Sequence, residues 1–152
     1  MNAILAETHP DAVQPSNTTS SAVEAGGPAL STKAVWAGRI LSGVAVLFLI
    51  FDAGVKLISH PAAIEGTTKL GYPTSVILGL GLIEVVCLIA YLVPRTAVLG
   101  AILWTGYLGG AVATHVRVGN PVFSNILAPV YVAVFLWLGL WLRDRRLRTL
   151  LT

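Results

Sequence analysis

Apolar residues fall into four long runs, at 35–58, 73–93, 96–115 and 125–142, separated by short polar breaks. Each run holds 18 to 24 residues, and at 1.5 Å per residue about 20 of them cross a hydrocarbon core of roughly 30 Å. Backbone groups in lipid have no water to bond, so a spanning run must satisfy its own N–H and C=O groups as a helix. A transmembrane β-barrel would need many short alternating segments, and these runs do not alternate. The breaks SHPAAIEG, LVPRT and RVGNPVFS carry the prolines, glycines and polar residues of turns. The link VPRT is so short that the second and third helices are expected to be antiparallel neighbours. The fold class expected is all-α, a transmembrane four-helix bundle.

Composition agrees with that pattern. Of the 152 residues, 55% are apolar and only 11% charged, and the mean hydropathy is +0.79. A water-soluble domain of this length needs a more charged surface. The basic pI of about 9.4 does not point to nucleic acid, because Arg143, Arg145, Arg146 and Arg148 follow directly on the last apolar run. That placement suits lipid headgroups, so the expected partner is the bilayer. Cys87 is the single cysteine; it has no disulfide partner in the chain and no metal-ligand spacing, and no metal site is expected.

Residues 1–33 are rich in Ala, Ser, Thr and Pro and have no basic residue before Lys33. They lack the positive start and apolar core of a secretory signal and the apolar content needed to offset ordering, so a disordered tail is expected. The membrane domain is then 34–146, followed by a short C-terminal tail, 147–152.

Counting Lys and Arg on each side of the four runs orients them. Lys33, Arg39, Arg95, Arg143, Arg145, Arg146 and Arg148 fall on one side, and Lys56, Lys69 and Arg117 on the other. Seven against three places both termini in the cytoplasm. Trp36, Tyr72, Tyr91, Trp137 and Trp141 lie near run ends, as an aromatic belt would place them. Gly106 and Gly110, four apart, are a candidate strip for close helix packing, a motif that also arises by chance in apolar helices.

The polar residues inside the runs carry the candidate chemistry. Asp52 and Lys56 stand at i and i+4 on one helix face, where they can pair. That pair is either a structural ion pair fixing helix register or part of a site. Glu84 lies near mid-membrane in GLIEVVCL, where an ionisable group is costly and is usually on a proton or ligand path. His115 and Arg117 close the third run in ATHVRVGNP, and Asn125 opens the fourth. With alternating helix directions, Asp52, Lys56, Glu84, His115, Arg117 and Asn125 are expected to face one interior site. His60, before Pro61, reads as a turn residue. No spacing motif supports a haem between His60 and His115.

From about Arg39 to Arg146 the chain resembles the DoxX-like family of small four-helix membrane proteins. The features that carry the resemblance are GVKLISHP after the first run, KLGYP opening the second, Glu84 within it and THVRVGNP closing the third. The resemblance implies a bacterial inner-membrane protein. The family takes its name from subunits associated with a thiosulfate:quinone oxidoreductase, and other members are placed with membrane redox or detoxification systems. It therefore implies an accessory component of a membrane redox system, with an oxidoreductase subunit as partner and a quinone as the candidate ligand. The alternatives are a small proton-coupled carrier and a scaffold without catalytic activity. The sequence has no catalytic motif, and neither the substrate nor the oligomeric state is written in it.

Overall fold

The computed structural model describes residues 31–144 and 147–148. The expected N-terminal tail, apart from its last three residues, and Arg145, Arg146 and 149–152 lie outside the described residues. Among the described residues five α-helices follow in order: α1 (Thr32–Leu57), α2 (Pro61–Lys69), α3 (Ile77–Leu92), α4 (Ala97–Arg117) and α5 (Ala128–Arg143). No strand occurs among the described residues. With the 3-10 turn Thr74–Val76 before α3 and the π-turn Val122–Ile126 before α5, four spans among the described residues are long and apolar enough to cross a membrane: Thr32–Leu57, Thr74–Leu92, Ala97–Arg117 and Val122–Arg143. The protein is a multi-pass membrane protein.

Only 22–33% of each spanning window is buried within the protein, so most of every helix surface is apolar and faces outward. Leu47, Phe51, Ile40 and Val86 are all more than 60% exposed, which suits lipid rather than water. The helices form a ring in which α1 packs against α5 and α3, and α4 against α3 and α5. Leu49, Tyr91, Ala101, Trp104, Leu136 and Leu140 fill its centre, each no more than 1% exposed.

Close approach in this ring rests on glycines other than the expected pair. A Cβ on Gly100 would stand 2.3 Å from the Tyr91 backbone nitrogen, and one on Gly139 would stand 2.4 Å from Ser42 Oγ. Cβ atoms on Gly106 and Gly110 would meet nothing within 4 Å. The packing seams are therefore α3–α4 at Gly100 and α1–α5 at Gly38 and Gly139, while the Gly106/Gly110 strip faces open space.

Three further expectations are corrected. The break SHPAAIEG is not a simple turn, because α2 begins at Pro61, its third residue. His60 Nδ1 accepts the Ala62 N–H at 3.2 Å, and Pro61 occupies the first turn, where its missing N–H costs nothing. Glu65 and Lys69 then pair at 2.6 Å on the exposed side, and the hydrogen bond from Lys69 holds the Glu65 carboxyl below its ordinary range. Ser59, with φ at +50°, takes the left-handed conformation that lets the chain turn from α1 into α2. Next, α5 begins at Ala128 rather than at 125, after the π-turn. Finally, Tyr91 is no interfacial belt residue. It is fully buried, its hydroxyl donating to the Leu136 carbonyl at 2.8 Å and lying 3.0 Å from Ser42 Oγ. Trp36 and Trp141 remain exposed, each under an arginine, Arg39 and Arg148.

Candidate functional site

Lys56 is the penultimate residue of α1, yet it bonds Glu84, the eighth residue of α3, and Tyr107, ten residues before the end of α4. At 1.5 Å per residue those positions lie about 10 Å and about 15 Å from the helix ends. Such depths exceed the reach of one lysine side chain, so α1 stops short of the α2-side ends of α3 and α4. A cleft of about 1190 Å³ runs alongside the last turns of α1 and past its end, roofed by α2 and large enough for a drug-sized ligand. Its walls are mainly apolar, with Phe48, Val55, Ile83, Leu103, Ala111 and Val132 among them. Gly106 and Gly110 line it too, and their missing side chains keep it wide.

Polar groups converge on the inner wall. Lys56 Nζ donates to Asp52 Oδ2 at 2.7 Å, to Glu84 Oε1, and to the Tyr107 hydroxyl at 3.3 Å. Tyr107 in turn donates its hydroxyl proton to Glu84 Oε1. Its ring meets Trp104 edge-on, 84° between planes, with centroids 5.6 Å apart, which fixes the ring where it stands. Side-chain exposure falls from 35% at Asp52 through 14% at Lys56 to 0% at Glu84. Asp52, Lys56 and Tyr107 line the cleft, and Glu84 lies behind them. Its second oxygen, Oε2, is buried without a hydrogen-bond partner. With the acids ionised the cluster holds two carboxylates against one ammonium, and each group offsets part of its neighbours' desolvation.

The remaining candidates divide. His115 and Asn125 line the same cleft towards α2. His115 Nδ1 lies 2.7 Å from Asn120 Nδ2; an amide nitrogen only donates, so Nδ1 accepts and a neutral ring carries its proton on Nε2. Asn125 Oδ1 accepts from Ser124 Oγ. Arg117 stands apart from the cluster: it is exposed and donates to the Leu70 carbonyl at 2.8 Å, steadying the turn after α2. His60, although it lines the cleft, spends Nδ1 on capping α2. Tyr107 is the member that residue-type reasoning passes over. The signal for it was its place at the centre of a span, where a hydroxyl needs a partner, rather than at an end.

The profile of the DoxX-like family matches residues 40–139. The chain belongs to that family. The match takes in all of α2, α3 and α4 and most of α1 and α5, and with them Asp52, Lys56, Glu84 and Tyr107. No curated protein and no solved structure matches this DoxX-like chain.

Proposed function

We propose that this DoxX-like protein is an accessory component of a membrane redox system and holds a quinone-type molecule in the cleft. The observation that carries the reading is the Lys56–Glu84–Tyr107 cluster in the wall of a wide apolar cavity. A quinone needs an apolar slot for its ring and tail. It also needs groups that exchange protons, since interconversion with the hydroquinone moves two protons with two electrons. Asp52, Lys56 and Tyr107 stand at the cleft surface, and Glu84 behind them offers a second place to keep a proton. The electrons pass to or from a partner oxidoreductase subunit. In this reading the protein sits in a bacterial inner membrane with both termini cytoplasmic, its membrane domain spans 34–146, and His115 and Asn125 serve the cleft mouth.

The test is the ligand content of the full chain purified in mild detergent, by absorption spectrum and by mass spectrometry of solvent extracts. A bound quinone that Glu84→Gln loses is the expected result. A preparation free of any lipid-soluble redox molecule, whose addition also gives no binding, would overturn the reading.

A second reading, a small proton-coupled carrier, draws on the unpartnered Glu84 Oε2 at mid-span. It predicts pH-dependent flux in proteoliposomes that Glu84→Gln abolishes.

A further inference from the structure

The polar cluster is unbalanced in hydrogen-bond donors and acceptors. An ammonium has three protons, and Lys56 directs them at Asp52 Oδ2, Glu84 Oε1 and the Tyr107 oxygen. The one proton of Tyr107 goes to Glu84 Oε1. The donors of Lys56 and Tyr107, the two that the cluster presents at the cleft, are thus engaged. What remains open within the cluster is on the acceptor side: Glu84 Oε2 has no partner, and Asp52, at the cleft surface, is bonded through Oδ2 only; the buried indole donor Trp104 Nε1, also without a partner, does not line the cleft. A proton on Glu84 would fill Oε2, which lies behind the wall, and leave Asp52 Oδ1 as it is.

This imbalance decides between ligand chemistries. A molecule that presents only acceptors, such as a ketone or a quinone carbonyl, can enter only by taking a proton already shared within the cluster. That leaves a largely buried carboxylate or hydroxyl short of a bond. A molecule that presents an O–H adds a bond at Asp52 Oδ1 and breaks none. A charge-assisted bond from a hydroxyl to a carboxylate is also among the stronger kinds.

We propose that the inner end of the cleft takes its ligand through a hydrogen-bond donor: an apolar ring carrying a hydroxyl, of the phenol and hydroquinone class, in preference to its carbonyl counterpart. The inference rests on the cleft being the ligand site of the function proposed above, and it adds which redox form that site holds. Tighter binding of the reduced form raises the potential of the bound couple, by about 30 mV for each tenfold difference in affinity.

The probes are decyl-benzoquinone and decyl-hydroquinone, which share one body and differ in the two ring hydroxyls. Both are titrated by calorimetry under argon into the full chain in detergent. The hydroquinone is expected to bind at least tenfold tighter. Asp52→Asn, which exchanges one carboxylate oxygen for a donor, should cut that preference below threefold, whereas Phe48→Leu in the apolar wall should shift both affinities alike. Equal affinities, or a tighter quinone, overturn the donor inference and leave the redox reading standing. Binding of neither probe overturns both.

Discussion

The ammonium of Lys56 joins the carboxylate of Glu84 across the interface between the first and second spans. The two positions are 28 residues apart, so the contact exists only when α1 and α3 are packed. Asp52, one turn before Lys56, shares the same ammonium. This arrangement makes the lysine the hinge of the cluster's electrostatics, since it is the single cation facing two acids.

Removing that cation should therefore cost more than removing one acid. Lys56→Met leaves two carboxylates uncompensated and is expected to destabilise the protein by about 3–5 kcal/mol. Glu84→Gln leaves Lys56 paired with Asp52 and is expected to cost about 1–2 kcal/mol. The double variant should lose less than the two single costs added together. Unfolding of each variant in detergent by heat or SDS measures the order, and a Lys56→Met protein no weaker than Glu84→Gln would sink the argument.

Glycines divide into two classes that alanine scanning can separate. Gly100→Ala sets a Cβ 2.3 Å from the Tyr91 nitrogen and 2.4 Å from its Cα, backbone atoms that cannot turn aside. It should cost about 1–3 kcal/mol or more by forcing α3 and α4 apart. Gly106→Ala and Gly110→Ala project into open space, and the better helix propensity of alanine should leave stability unchanged or raise it by up to about 1 kcal/mol each. These two variants should instead weaken ligand binding, because they narrow the cleft. Melting temperatures for all three, set beside probe affinity for the last two, provide the check.

His60 acts locally. His60→Ala removes the acceptor for the Ala62 N–H, worth about 0.5–2 kcal/mol at a helix N-terminus. Because the cap is exposed, the low end is expected. Hydrogen exchange at 62–64 should speed up several-fold while the spans keep their protection, and His60→Asn should restore the slow rate. Faster exchange spread over all four spans would show instead that α2 is needed to hold the ring.

One span separates Ser31 from Glu65, so they belong on opposite faces of the membrane. In a Cys87→Ala background, Glu65→Cys should react with an impermeant maleimide on intact cells, and Ser31→Cys only after lysis. Labelling of both from one side would contradict the four-span arrangement. The reverse pattern would contradict only the cytoplasmic placement of the termini.

The four spans were legible because a hydrophobic run of membrane length has few other uses, and Glu84 because a carboxylate has no cheap way to lie in one. Helix α2 was not legible. It is nine residues of mixed polarity, too short for a hydropathy signal, and its proline reads equally as a turn or as a first helical residue. The buried Tyr91 and the half-buried Tyr107 were missed for a related reason: a phenol is at home at the lipid surface, so Tyr91 looked interfacial and Tyr107 looked neutral. Which helix faces meet is hidden when every face is apolar. The Gly106/Gly110 strip is a case in point, since the same two residues suit a seam or a cavity wall and only the fold distinguishes them.

Asp52, Lys56, Glu84 and Tyr107 all come from the first three spans. The contacts that close the ring, Ser42 against Gly139 and Tyr91 to the Leu136 carbonyl, wait for α5. During synthesis the charges can thus neutralise one another before the last segment leaves the insertion machinery. The costly groups never need to face lipid alone while the chain is being made, and the final helix arrives to shut a bundle whose polar heart is already assembled.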